Sequence, residues 1–218
     1  QANLLFGQAD PGSVVATVRD NDVDALTVQE LTHPLAQAMN DLGLDDLLPY
    51  QYLVPDDAGG AGAGIYSRYP LAEMRELNGF GPTNLVARVD LPTSFELVAV
   101  HPGPAYITPP DVWTAELDTL RVALEDLAAT PSPVVVSGDF NTTYLHRQFR
   151  DLLDAGYSDA ADQLGTGIIP TYPTDKGFPA VIGIDHVLTR GAHAQSLQRI
   201  TVEGSDHHGL IVDVSFPS

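Results

Sequence analysis

The chain has 218 residues, 44% of them hydrophobic, and a formal net charge of −19, with no cysteine. This composition supports one sizeable core and excludes a disordered or coiled-coil chain; the missing cysteine also removes disulfides, thiolate metal sites and cysteine nucleophiles. Lys176 is the lone lysine, which argues against tight nonspecific binding to a polyanion, where several Lys and Arg must sit on phosphates.

Ala2-Asn3-Leu4-Leu5 reads as the end of a strand whose beginning lies upstream. Val14 to Arg19 reads as a short helix, Asp24 to Gln29 as a buried strand, and Pro34 to Leu42 as a second short helix. Pro55 to Gly64, rich in Asp, Gly and Ala, is expected to be a loop. Leu85 to Asp90 and Phe95 to Val100 flank Pro92-Thr93-Ser94 as an antiparallel hairpin. The strongest helix signal is Asp111 to Ala128, with Thr108 placed to cap it and Pro109-Pro110 suited to its first turn. Trp113, Leu117, Leu120, Leu124 and Leu127 give it one continuous apolar face. Pro131-Ser132-Pro133 ends it, and Val134 to Val136 follows as a short buried strand. His146 to Ala155, closed by Gly156, reads as another helix. Gly165 to Gly183 is a second long loop; connections of such length often line a site. Ile184 to Leu188, Leu197 to Val202 and Leu210 to Val214 complete the strands. Hairpins mixed with strand–helix alternation indicate a layered α/β fold with mixed sheets, and residues 1–218 read as a single domain.

Polar residues recur where the apolar strands end. Glu30 follows Leu26 to Gln29, His101 follows Leu97 to Val100, and Asp139 and Asn141 follow Val134 to Gly138. Asp185 and His186 lie within Ile184 to Leu188, while Asp206, His207 and His208 precede Leu210. Strand ends are where layered α/β folds assemble sites. Hard oxygen donors and histidines converging there point to a divalent cation beside acid–base groups. Each residue alone also has a plain reading: a solvated Glu, a His-Pro turn, a satisfied buried Asp–His pair, a Gly-Asp-Phe-Asn turn. Their combination and order carry the argument.

Asn3, Gln29-Glu30, His101, Gly138-Asp139-Phe140-Asn141, Ile184-Asp185-His186 and Ser205-Asp206-His207 follow the motif order of one family. The sequence resembles the endonuclease/exonuclease/phosphatase superfamily, with its pancreatic deoxyribonuclease-like fold, from residue 3 to about residue 214. Ser67-Arg68-Tyr69-Pro70-Leu71 is similar to a further segment of that family. The resemblance implies a four-layer α/β sandwich, two mixed sheets face to face with helices outside, and metal-dependent hydrolysis of a phosphate ester. It implies Glu30 as the principal Mg²⁺ ligand, with Asn3 and Asp206 beside the metal. It further implies that Asp139 and Asn141 orient the attacking water and a phosphate oxygen. By the same likeness Asp185 polarises His207, and His101 contacts phosphate or helps the leaving oxygen.

The chemistry accounts for these residue types. A phosphodiester is anionic and repels hydroxide, so a site must neutralise charge as the transition state forms. Mg²⁺, with Mn²⁺ as a substitute, prefers oxygen ligands and needs only one or two carboxylates plus substrate oxygens. A carboxylate or imidazole must take the proton of the attacking water. An Asp beside a His fixes its tautomer and supports its charged form.

The chain departs from pancreatic deoxyribonuclease at two places. Where that nuclease pairs the matching histidine with a Glu, this chain reads Gly59 to Gly64 with no acid, so His101 is expected to stay neutral and bind phosphate. Where it has an Arg after the metal Glu, this chain has Leu31. With the acidic surface, both departures argue against duplex DNA. Basic candidates are Arg68, Arg147, Arg150 and Lys176; Arg68 reads as structural, and Arg147 and Arg150 as candidates for substrate phosphate. Tyr106, Tyr172 and Phe178 can offer rings to a base or an acyl chain, with Tyr106 the substrate-binding candidate. The expected reaction is Mg²⁺-dependent hydrolysis of a phosphodiester, lipid-like or small. The alternatives are a nuclease on single-stranded or structured nucleic acid, a phosphomonoesterase, and a noncatalytic binding domain that keeps the fold. His208 is read as lying behind the site or on the surface.

No apolar run approaches the ~18–20 residues of a membrane span, and the N-terminus lacks the basic-then-apolar order of a signal peptide. The strand-like start leaves room for an upstream membrane tether, and the expectation is an extracytoplasmic, monomeric domain, with a cytoplasmic one as the alternative.

Overall fold

A computed structural model describes residues 1–58 and 60–217. The chain begins with β1 (Ala2–Asn3) and α1 (Pro11–Asp20), the latter capped by the Asp10 carboxylate, which accepts from Ser13 N. Buried β2 (Ala25–Gln29) leads into α2 (His33–Asp41), capped by Thr32, and then the single turn α3 (Leu44–Leu47). Three strands follow: β3 (Tyr50–Val54), β4 (Ala63–Ser67) and β5 (Leu71–Leu77). The expected hairpin is present as β6 (Asn84–Val89) and β7 (Phe95–Val100). Helix α4 (Pro110–Ala128) buries Trp113, Leu117, Leu120, Leu124 and Leu127, the face its periodicity marks. Its N-cap is Pro109, without a side-chain cap; Thr108 does not cap it. The remaining elements are β8 (Val134–Asp139), α5 (Arg147–Asp154), β9 (Ser158–Asp159), α6 (Ala160–Gln163), β10 (Asp185–Arg190), β11 (His193–Thr201) and β12 (His208–Ser215).

One mixed sheet has the order β1-β2-β4-β3 and a second the order β5-β6-β7-β8-β10-β9. The parallel pairs are β1 with β2 and β7 with β8; the other pairs are antiparallel. The ribbon of β11 and β12 lies beside β1, where the Gln1 and Leu210 backbones exchange two hydrogen bonds. Three apolar clusters separate four layers. Val14, Leu35 and Met39 of the first helices pack on Val28 of the first sheet. Ile65, Leu85, Leu97 and Val135 fill the space between the sheets. Leu120 and Leu124 of α4 and Phe149 of α5 pack on Val98 and Val136 of the second sheet. This is the expected sandwich of helices, two sheets and helices.

The strands β3, β4 and β5 have no counterpart among the expected strands. The expected loop at 55–64 gives up its end to β4, and Gly59 within it lies outside the described residues. The expected strand at 197–202 starts earlier, at His193, and ends at Thr201. The long segment 165–183 is a loop, tied across itself by a bridge between Tyr172 and Ile182. None of the described helices is long and apolar enough to cross a membrane.

Candidate active site

The two sheets aim the ends of β1, β2, β7, β8 and β10 at one region. The parallel pairing of β1 with β2 sets Asn3 opposite Gln29, one residue before Glu30. The β10–β8 register sets Asp185 opposite Asp139. The last residues of β8 require its glycine. Gly138 has φ +149, and a Cβ there would lie 2.2 Å from Val100 O. Glu30 and Asn141 both hold left-handed φ, at 59 and 48. Such strain persists only where the surroundings impose it. Here the Glu30 carboxylate accepts from Phe6 N at 2.8 Å and Asn3 Nδ2 at 3.0 Å. The Asn141 backbone donates to Asp139 Oδ1 at 2.8 Å, and its side chain donates to Pro102 O at 2.9 Å.

Asp139 Oδ2 is the centre of the arrangement. Asn3 Nδ2 donates to it at 3.3 Å, and His207 Nε2 and His101 Nε2 lie 3.7 and 3.8 Å away. His207 Nδ1 is bound to Asp185 Oδ2 at 2.9 Å, which fixes the ring. Asp206 stands 3.9 Å from His207 Nε2. Asn3, His101, Asp139, Asp185 and His207 are buried, while Glu30 and Asp206 are half-buried.

Burial sets the proton affinities. It raises Glu30, Asp139 and Asp206 above the ordinary carboxylate range. Asp185, equally buried, is nevertheless held low by its imidazole partner. Burial also works against a charged His207, but the Asp185 and Asp139 carboxylates outweigh it and push the ring up to about 10. His101 goes the other way, because burial lowers it more than the acids raise it. Its Nδ1 has no hydrogen-bond partner among the described residues. Burial favours a neutral His101, and the 59–64 segment carries no acid to pair with it. Gly60 explains part of that gap, since a Cβ there would meet Glu30 Cδ at 3.3 Å and Phe6 Cε1 at 3.0 Å.

The donor set suits a divalent cation. Oxygens of Asp139 and Asp185 and a ring nitrogen of His207 come within 4.8 Å of one another. Asp185 and His207 spend their facing atoms on each other, however, which leaves Glu30, Asp139 and Asp206 as the oxygen donors facing the cavity. All three carboxylates are raised by burial, and Asp206 raises Glu30 further. A hard cation relieves that unfavourable charge, and its ligand preference is for oxygen. Asn3 turns its amide NH₂ to Glu30 and Asp139 while its oxygen accepts from Leu5 N. Its place beside a metal is therefore that of a donor to the carboxylates.

These groups open into a cavity of about 490 Å³ whose walls include Phe6, Tyr106, Ile107, Tyr172 and Ile182. Tyr106 stands at the mouth, 76% exposed. Tyr172 packs on His207 with ring centroids 4.8 Å apart. No Lys or Arg among the described residues lines the cavity. Arg147 is not brought to it: its guanidinium pairs with Asp151 along α5. Arg150 braces the Tyr144 and Leu145 carbonyls, Lys176 pairs with Asp175, and Arg68 ties Asp22 to Asp24 as a structural residue. His208 starts β12 and donates its backbone N–H to Thr171 O, behind the site.

Several residues that shape the site have no role assigned from the sequence, His186 among them although it stands in the Ile184-Asp185-His186 motif. Glu116 of α4 accepts from Gly81 N at 2.8 Å and Gly103 N at 2.6 Å, strapping two cavity loops. Asn84 accepts from His101 N at 2.7 Å. Trp113 Nε1 donates to Asn141 O at 3.2 Å. His186 sets Nδ1 2.7 Å from Asp159 and packs under the Asp139–Asn141 turn against Phe140 and Phe149. His146 lines the cavity wall. Of these, His146 carried a signal: a histidine five residues beyond Asn141, before a helix, where a capping Ser or Asp is the usual choice.

The pattern of the endonuclease/exonuclease/phosphatase family matches residues 1–207. The chain belongs to that family. It is accordingly a divalent-metal-dependent hydrolase of phosphate esters. Among curated proteins, no sequence matches it. Solved structures agree on the fold. A humanized TDP2 of D. rerio is 18% identical, with 98% of this chain and 96% of that one covered and a TM-score of 0.78. The mannosyl-6-phosphatase of Bacteroides thetaiotaomicron is 15% identical, with coverage of 97% and 92% and a TM-score of 0.74. A functionally unknown conserved protein from Enterococcus faecalis is 17% identical, with coverage of 95% and 91% and a TM-score of 0.72.

Proposed function

We propose that this family member hydrolyses phosphodiesters, uses Mg²⁺ as its working cation, and favours substrates with an apolar group beside the phosphate. The observation that carries the reading is the surrounding of Asp139 Oδ2: an amide NH₂ and the Nε2 atoms of His101 and His207, all within 4 Å. Glu30 and Asp206 would hold Mg²⁺, which would supply charge neutralisation as the phosphate ester reacts. Asp139, with its proton affinity lifted by burial, takes the proton of the attacking water as its oxygen bonds to phosphorus. The cationic His207 ring, held by Asp185, donates to a phosphate oxygen as negative charge accumulates. His101 donates from Nε2 to another oxygen, and Asn141 holds the turn that places Asp139. The bond from phosphorus to the leaving oxygen breaks opposite the water, and that oxygen leaves with a proton from solvent.

A diester carries one negative charge and a monoester close to two at neutral pH. A cavity with no Lys or Arg among its described residues has less to offer the second charge, which favours the diester. Its apolar walls favour a lipid-like or aromatic substituent. A nuclease reading has one observation of its own, the exposed Tyr106 ring on which a base can stack. A solved D. rerio TDP2 is complexed with a single-strand DNA product, and the fold is shared.

The test is hydrolysis of bis-p-nitrophenyl phosphate and p-nitrophenyl phosphate with Mg²⁺, Mn²⁺ or EDTA, beside Glu30→Ala. The expected result is metal-dependent cleavage of the diester, at least ~10²-fold lower in the variant. Preference for the monoester would replace this reading with a phosphatase.

A further inference from the structure

We infer that His146 is a substrate-binding residue that donates a hydrogen bond from Nε2 to a non-reacting oxygen of the bound phosphate ester. The inference rests on the phosphoesterase reading and assigns one of the groups that recognises the anion. Thr143 N donates to His146 Nδ1 at 3.0 Å, so Nδ1 is the acceptor nitrogen and the ring proton sits on Nε2. The ring stands edge-on to Trp113 at 5.2 Å between centroids, and Trp113 is itself anchored on Asn141 O. The donor is thereby fixed on the cavity wall, in the loop that carries Asn141.

Helix capping does not account for the histidine. His146 is the N-cap of α5, yet its side chain makes no capping bond. Ser, Thr, Asp or Asn would serve a cap better. Anion recognition, by contrast, has few other donors to draw on. Arg147 and Arg150 of the same helix turn to Asp151 and to the Tyr144 and Leu145 carbonyls. His101 and His207 both sit against Asp139 at the reacting centre. His146 is the cavity-lining histidine placed away from the acid cluster, where a second oxygen or a substituent of the ester would lie.

The remaining structural role is closure of the 143–146 turn through Nδ1, and two substitutions separate it from binding. Asparagine places an acceptor near Nδ1 and nothing at Nε2, whereas glutamine places an amide NH₂ near Nε2 and loses the turn acceptor. With Mg²⁺ present, calorimetric titration with inorganic phosphate should show His146→Asn binding roughly tenfold more weakly than wild type and His146→Gln within about threefold. The KM for bis-p-nitrophenyl phosphate should follow the same order, with kcat nearly constant. The reverse order, Gln impaired and Asn intact, would reduce His146 to a turn residue and overturn the proposal. So would a wild-type protein that binds no phosphate. Phosphate binding that weakens in His146→Asn while wild type cleaves neither ester would keep the proposal and sink the diesterase reading instead.

Discussion

Asp185 and His207 share one hydrogen bond in a buried setting, and their linkage to stability can be worked out with its sign. An unfolded histidine titrates near 6.5, and the folded ring is pushed up to about 10. The folded state therefore holds a proton more tightly, and the stability this adds is complete below pH 6.5. It drains away as pH rises through 10. In EDTA, the melting temperature should fall by on the order of 10 °C between these pH values. In Asp185→Asn the neutral amide no longer supports the charged ring, so most of that slope should vanish. Thermal scans of both proteins from pH 6 to 10 decide it; an Asp185→Asn slope equal to wild type would mean that His207 is not the group responsible.

Among the elements, α4 reaches furthest into the site from outside the sheets. Its apolar face packs on the second sheet while Glu116 holds the backbones of Gly81 and Gly103. Removing the carboxylate leaves two backbone donors without partners in a largely dry place. Glu116→Ala should cost about 2–4 kcal/mol, seen as a lower denaturation midpoint. It should also raise KM, because both strapped loops border the cavity. Glutamine should recover about half of the stability, since its one oxygen can serve one of the two donors. An alanine variant as stable as wild type would show that the strap contributes nothing. Helix α4 itself was readable because five large apolar residues recur at helical spacing. The β6–β7 hairpin was readable for a similar local reason. By contrast, β3, β4 and β5 show no local signature. The strand β4 is buried along its whole length but built partly from Ala, Gly and Ser, and β5 is an edge strand with Glu73, Arg75 and Glu76 on a bulged run. Strand-end polar residues announced Glu30, His101, Asp139, Asp185 and His207, each beside an apolar run. Glu116, Asn84 and Trp113 gave no such notice, because their roles exist only after distant segments meet: Glu116 is 35 residues from Gly81, and Trp113 is 28 from Asn141.

At the scale of the whole molecule, the charge of −19 acts on every anion that approaches. Among the described residues the cavity adds no Lys or Arg to offset it. Substrate capture therefore works against the mean field, and screening should help it. The Debye length shrinks from about 30 Å at 0.01 M salt to about 8 Å at 0.15 M. With the metal kept saturating, the KM for an anionic diester should fall a few-fold over that range while kcat stays constant. A groove that tracks a polynucleotide behaves in the opposite way, since its affinity depends on counterions released from phosphates and collapses as salt rises. Excess duplex DNA should accordingly fail to compete at either salt concentration. Measuring KM for bis-p-nitrophenyl phosphate across NaCl, with and without duplex or single-stranded DNA, therefore separates the two substrate classes. Rising KM with salt, together with competition by the single strand, would transfer the site to nucleic acid. Falling KM without competition would tie its specificity to small or lipid-like diesters that enter an acidic molecule through an apolar mouth.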